Sequence, residues 1–235
     1  MKLKFNESKH EYSLGSKILP SVTDVISHFF EPFDRDYWAE YKANQRRISK
    51  EAILEEWKEK RDWGSKVHSL IEGHIKGESR KNHPNEVKEA INFLKSTTHS
   101  KIESELRVYS PEWMIAGTID IAMETPEGIM LFDWKTTSNL RMENSFRKCN
   151  HPISHLDDCN YSKFILQLNF YKALYEQHYG KKVVGMGFIL LSDSEPYKYF
   201  HVDDHSDEVN SMIEHLMGPS PNKTWIGRVL DKIGI

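Results

Sequence analysis

Gly117-Thr118-Ile119-Asp120-Ile121-Ala122-Met123-Glu124, then Thr125-Pro126-Glu127-Gly128, then Ile129-Met130-Leu131-Phe132-Asp133-Trp134-Lys135: this run reads as two strands joined by a tight turn. The middle tetrapeptide suits a type I turn, with proline second and glycine fourth. With Pro126 and Glu127 at the tip, equal counting along both strands sets Asp120 opposite Asp133. Carboxylates facing each other on a hairpin have Cβ atoms about 5 Å apart and repel. Lys135 lies two residues beyond Asp133 and so shares its face. Its amine alone could answer the repulsion; two hard carboxylates with open positions are also what a Mg²⁺ bound to phosphate needs. On spacing alone, a solvent-facing charged hairpin is an equal reading. Against it, Ile119, Ile121, Leu131, Phe132 and Trp134 leave little of the hairpin looking exposed, and acids on a buried strand need a partner or a role.

Outward from the hairpin, residues 101–109, 113–123, 129–136 and 183–191 read as strands, and 196–202 as an edge strand. A polar loop over 138–159 precedes a helix over 161–179. Upstream, residues 2–19 read as a β-hairpin ended by Pro20. Ser21 then looks like an N-cap for a helix burying Val25, Ile26, Phe29 and Phe30. Residues 34–77 are helical with a break near Ile48-Ser49, and further helices are expected over 84–98, 206–217 and 222–232. Helices, a three-strand meander, a helix and a strand imply an α/β fold: a mixed central sheet flanked by helices, with a helical N-terminal lobe. The expected organisation is one domain over 1–235, with the lobe at about 21–98 and the core at about 99–235.

Across 235 residues, 38% are apolar, 29% are charged and the net charge is -3. No global basic field marks a nucleic-acid partner, although a local acidic cluster with a basic rim would suffice to hold a metal and a phosphate. Two cysteines, Cys149 and Cys159, make no disulfide framework. The N-terminus has no apolar h-region, is not Arg-rich, and no apolar stretch is long enough to cross a membrane. The expectation is an intracellular protein, cytoplasmic or nucleoid-associated, with no membrane partner.

Asp120 followed by Asp133-Trp134-Lys135 resembles the PD-(D/E)XK nuclease signature in its RecB-like form, Gly-x-x-Asp … Asp-x-Lys. Ile119 stands where that motif writes proline. Gly64-x-x-x-His68-x-x-x-Glu72 is similar to the helix found upstream of that hairpin in RecB-like nucleases, and Gln167-x-x-x-Tyr171 to the helix found downstream. His10-x-Tyr12 and Pro20-Ser21-Val22-Thr23 are similar to the start of the mitochondrial genome maintenance exonuclease and related viral exonucleases. Three motifs in order over about 110 residues are far more specific than any one alone. The resemblance implies a restriction-endonuclease-like fold and a Mg²⁺- or Mn²⁺-dependent nuclease. Its metal ligands would be His68, Asp120, Asp133 and the main-chain carbonyl of Trp134. Lys135 would hold the attacking water or a phosphoryl oxygen, and Gln167 would contact the substrate or the catalytic centre. The nucleic-acid contacts would be Ser21, Thr23, Lys66, Thr136, Lys163 and Tyr171.

The residues leave alternatives open. A lone histidine on a helix is more often a packing residue. Glu72 shares the face of His68 and could orient it, bind a second metal, or be a surface glutamate. Glu105 could join the acidic cluster, but an ordinary strand charge is the better reading. Tyr171 reads at least as well as a core residue. Cys149-x-His151-x-x-x-His155-x-x-x-Cys159 could bind zinc, but the spacing is no familiar finger and a structural zinc is disfavoured; two cysteines cannot hold an iron–sulfur cluster.

The lobe offers Lys42, Arg46, Arg47, Lys58, Lys60, Arg61 and Lys66 among Tyr37, Trp38, Tyr41, Trp57 and Trp63. These read equally as a single-strand-binding surface or as solvated amphipathic helices. Without base-reading apparatus, binding should be sequence-independent. The first choice is a single-stranded DNA exonuclease acting in repair, recombination or replication, with room for a helicase or recombination partner. A structure-specific or nicking endonuclease is the alternative, and a non-catalytic DNA-binding subunit a more remote one.

Overall fold

The computed structural model describes residues 3–218 apart from 8, 10, 79 and 81; the helix expected over 222–232 lies outside them. The chain opens with β1 (Leu3–Asn6), β2 (Glu11–Leu14) and β3 (Lys17–Leu19), a three-stranded antiparallel meander. A single hairpin was the expectation; Gly15, at φ 65, makes a second reversal that a residue with a Cβ resists. The meander packs Tyr12 and Leu19 against Ala116.

α1 (Val22–Ser27) starts from a capping box in which Ser21 and Asp24 satisfy each other's backbone amides. α2 (Arg35–Arg46) is stopped by Arg47 in the left-handed region, and Ser49 caps α3 (Lys50–Ile75), so the break expected near Ile48-Ser49 is present. α4 (Asn85–Ser96) follows. The sheet comprises β4 (Lys101–Ser110), β5 (Ile115–Thr125), β6 (Gly128–Lys135), β7 (Val183–Leu190) and β8 (Lys198–His201), in that spatial order. α5 (Asn160–Tyr179) connects β6 to β7, and α6 (Ser206–Met217) closes the described chain.

Among the described strand pairs of this sheet, only β6–β7 is parallel, as the helical crossover between them requires. This is the mixed, helix-flanked sheet expected from the sequence. One core layer joins α1, α5 and α6 to one face; the other joins Val67, Leu70 and Ile71 of α3 and Phe93 of α4 to Phe132 and Trp134. Because α1 and α6 cover its outer side, α5 is buried on more than one face.

The β4–β5 ribbon changes faces partway along. Ile115 and Ile119 join the α1/α5 layer, whereas Ile121 and Met123 join the α3/α4 layer. On β4, Leu106 and Val108 face the first layer and Ile102 the second. Strict alternation would keep residues of one parity on one face. The inversion falls at Glu105 and Asp120, the one position that the β4–β5 ladder skips.

Candidate active site

The ladder between β5 and β6 runs from Thr125↔Gly128 at the turn to Ile121↔Phe132, the register that the turn chemistry implies. It stops one pair short of Asp120 and Asp133. There the Asp120 side chain replaces a ladder acceptor, its Oδ2 taking the Trp134 N–H at 2.9 Å. The two acids lie just beyond the last ladder pair, near enough for their charges to bear on each other. Across the other ladder, Glu105 sits at φ 49, left-handed for a residue with a Cβ, at a cost of about 1–3 kcal/mol. That single residue turns the ribbon and brings Glu105 to Asp120. Among the described residues, His68, Glu105 and Asp120 form the one group of three potential ligands whose atoms all lie within 4.8 Å of one another.

α3 delivers His68. Val67 and Leu70 seat the helix on Phe132 and Trp134, and one turn before His68 a Cβ on Gly64 would come within 3.0 Å of Thr136 Oγ1. The missing side chain lets the helix close on the end of β6. His68 then places Nδ1 3.4 Å from Asp120 Oδ2 and Nε2 3.1 Å from the Trp134 carbonyl oxygen.

The cluster's electrostatics follow from crowding acids in a dry place. Burial pushes the His68 imidazole down, but the Asp120 charge and hydrogen bond outweigh it and lift the pKa to about 9. Burial, reinforced by Asp120, raises Glu105 to about 7. Burial also raises Asp133 to about 6, with Lys135 opposing and Asp120 reinforcing. Burial works against the Asp120 carboxylate too, yet His68 holds its pKa below the usual range. In this structure the imidazolium is the positive charge that the acids require.

On the α5 side, Asp133 is 2% exposed. Its Oδ2 forms an ion pair with the Lys135 ammonium but accepts no well-aligned hydrogen bond. Lys135 Nζ donates to Gln167 Oε1 at 3.0 Å and lies 4.4 Å over the Phe164 ring. Gln167 Nε2 donates in turn to the Tyr171 hydroxyl at 3.0 Å. Tyr171 is buried, and burial first, then the Asp133 charge, raises its phenol well above the usual value. Its ring occupies space left by Gly117, whose Cβ would meet Tyr171 Cε1 at 2.7 Å. Lys135 is thus held by a chain running from Asp133 through Gln167 to Tyr171.

A cleft of about 1280 Å³ opens beside these groups, lined by His68, Trp134, Lys135 and Thr136 together with Trp63 and Glu86. The other expected nucleic-acid contacts distribute differently. Tyr171 is internal and reaches no surface strand. Ser21 is 7% exposed and occupied in capping α1. Thr23 is exposed, with its hydroxyl 2.9 Å from that of Ser21. Lys66 and Lys163 lie over aromatic rings, at 5.3 Å from Trp63 and 4.8 Å from Phe30.

Glu72 pairs with Lys76 and adds to the repulsion that raises Glu105. Several lobe cations are paired with acids: Arg46 and Lys60 with Glu56, Lys58 with Glu55, Arg61 with Asp62. The Cys149–Cys159 run is not gathered as a ligand set. The Cys149 thiol donates to the Asp157 carbonyl, the Cys159 thiol to the Met142 carbonyl, and His155 pairs with Glu208. Glu105 had read as an ordinary strand charge because a left-handed residue inside a strand leaves no trace in an apolar–polar pattern.

The sequence matches the family model described as the PD-(D/E)XK nuclease superfamily over residues 36–218. A search of curated proteins finds no match. Among solved structures, the chain is similar to one described as a candidate exonuclease from Eubacterium rectale, at 16% identity and a TM-score of 0.45, covering 72% of this chain and 68% of that one. It is also similar to the protein SSO0001, at 15% identity and a TM-score of 0.40, covering 94% and 88%.

Proposed function

This chain belongs to the PD-(D/E)XK nuclease superfamily, and from that premise we propose that it is a Mg²⁺- or Mn²⁺-dependent single-stranded DNA exonuclease of the RecB-like branch, akin to the mitochondrial genome maintenance exonuclease and related viral exonucleases. One observation carries the reading: His68, Glu105 and Asp120 converge within 4.8 Å, and His68 lines a cleft that Lys135 also lines. The whole chain acts as one domain, with the lobe at 21–98 and the core at 99–235.

The donor set fits a hard divalent cation. Two carboxylates and an imidazole surround a place where burial already demands positive charge, and the Trp134 carbonyl lies beside it. His68, Asp120, Asp133 and that carbonyl, the set the resemblance implies, would hold the ion, and Glu105, which lies with His68 and Asp120, would join them. When bound, it would neutralise the phosphoryl oxygens and acidify the attacking water.

The chain's own groups do the rest. Lys135, fixed between Asp133 and Gln167, presents an ammonium donor to the attacking water or to a non-bridging phosphoryl oxygen. Gln167 is the positioning residue that sets the Lys135 stem, and Tyr171 sets Gln167. His68 would serve as a ligand in its neutral form, so holding the ion would require it to be deprotonated. Asp120, anchored by the Trp134 amide, stays ionised throughout. With no base-reading element, the contacts would be sequence-independent, and a helicase or recombination protein would be a suitable partner.

The test is hydrolysis of end-labelled single-stranded DNA with Mg²⁺, with Mn²⁺ and with EDTA. EDTA should abolish cleavage. Asp133→Asn and Lys135→Ala should each lower kcat by roughly 10²–10³-fold, the scale for losing one preorganised charge or donor. Variants as active as wild type would remove the site. A circular single strand left intact supports the exonuclease; its conversion to a linear form would instead identify an endonuclease with the same chemistry.

A further inference from the structure

We propose that Trp63 is the platform on which one unpaired base of the bound strand stacks while a phosphate of that strand occupies the catalytic site. The proposal rests on the single-strand nuclease reading above and adds the residue that selects for unpaired bases. Trp63 heads the apolar stripe of α3, at the spacing of Val67 and Leu70. Those two are buried, whereas Trp63 remains 39% exposed and lines the same cleft as His68 and Lys135.

Its ring is not loose. The indole Nε1 donates to Glu86 Oε1 at 2.8 Å, and Glu86 is only 5% exposed. Glu86 lies in the first turn of α4, where the helix dipole eases a negative charge, but among the described residues it forms no ion pair. A carboxylate taken from water without a cation is unfavourable; what this one does is fix the plane of a half-exposed indole. The Lys66 ammonium lies 5.3 Å over the ring, yet Lys66 is not among the residues lining the cleft. The proposed base would stack on the indole face opposite that ammonium.

Charge alone would hold a strand weakly here. The cleft's Lys60, Arg61 and Lys198 are each paired with an acid. Single-strand binders add affinity by stacking bases on aromatic faces beside a backbone-tracking charge, and stacking tolerates any sequence because every base has a π-face. In a duplex those faces are covered, so a fixed indole in the same cleft as Lys135 rewards a strand whose bases are free.

The experiment measures binding by fluorescence anisotropy, with Ca²⁺ in place of Mg²⁺. It uses labelled single-stranded oligonucleotides that each carry one abasic residue at successive positions. For wild type, one position should stand out, with binding weakened by about tenfold. For Trp63→Ala, the intact strand should bind weaker by a similar factor and the scan should be flat at that position. Trp63→Phe, a smaller packing change, should keep most of the position dependence.

A wild-type scan with no special position would overturn the proposal. So would a Trp63→Ala scan with the wild-type profile but uniformly weaker binding, since that marks Trp63 as packing only. No binding of the intact strand would overturn it too. Hydrolysis with Mg²⁺ is read separately: cleavage with a flat scan retains the nuclease and removes the stacking role, whereas a position-dependent scan without cleavage does the reverse.

Discussion

Gly117→Ala tests whether the packing behind the sheet positions Lys135. The added Cβ would lie 2.7 Å from Tyr171 Cε1 and 3.2 Å from Val22 Cγ2, where ordinary contact begins near 3.4 Å. The Tyr171 ring is buried and Val22 is fully so, so neither has solvent to move into. Relief requires the ring to retreat by ~0.7 Å, from 2.7 to 3.4 Å, against a steep repulsive wall. Overpacking of this kind costs about 1–3 kcal/mol, and the lower backbone entropy of alanine returns about 0.5–1 kcal/mol. The net of roughly 0.5–2 kcal/mol should lower Tm by about 1–8 °C for a chain of this size.

The same retreat pulls on the Tyr171–Gln167 and Gln167–Lys135 hydrogen bonds, both 3.0 Å. Misplacement by about 1 Å at a catalytic group can cost roughly 10²-fold, so a ~0.7 Å shift should lower kcat by roughly 10–100-fold. The assay pairs thermal melting with single-stranded DNA hydrolysis and repeats both in a Tyr171→Leu background. With the ring gone, the clash is gone, and Gly117→Ala should add less than ~0.5 kcal/mol. A Gly117→Ala protein with wild-type Tm and rate, or one whose defects add in full to those of Tyr171→Leu, would refute the reasoning.

Two further outcomes follow from the same geometry. The His68 pKa, raised to about 9 from an ordinary 6.5, contributes stability that is present below 6.5 and lost as pH rises through 9; Glu105, raised to about 7 from 4.5, disfavours the fold increasingly as pH climbs through that range. The EDTA-treated protein should therefore lose Tm between pH 6.5 and 9, while the Tm gain from Mn²⁺ should grow over the same span, because the ion replaces protons and each unit titrated by one group is worth ~1.4 kcal/mol; a Mn²⁺ gain that is flat or shrinking would count against His68 and Glu105 as ligands. Ser21→Ala should remove the α1 cap, costing ~1 kcal/mol and about 2–4 °C in Tm, without a matching loss of rate; slower cleavage at unchanged Tm would return Ser21 to the nucleic-acid surface.

Much of this was legible in the residues. Turn chemistry at Pro126-Glu127 and Gly128 set the β5–β6 register, the capping residue Ser21 marked a helix start, Ile48-Ser49 marked a helix break, and the spacing from Gly64 to His68 announced a helix closing on the sheet. Short-range rules suffice there because each rests on neighbouring residues. Glu105 was not legible, since its role depends on one left-handed φ inside a strand whose pattern looks ordinary, and the meander at residues 3–19 was read one strand short. Tyr171 and Gln167 were assigned by motif order, but that one is buried behind the other depends on α5 being covered by α1 and α6.

Local chemistry in the sequence determined the elements, the hairpin register and the identity of the charged residues. Tertiary structure alone decided which acids meet. The hairpin register sets Asp120 beside Asp133, and their charges bear on each other; the half-turn of the β4–β5 ribbon adds Glu105 to Asp120 and His68, while Asp133 pairs with Lys135. That half-turn is sustained by two core layers pulling the same ribbon's apolar residues to opposite sides, a constraint that no stretch of sequence carries by itself.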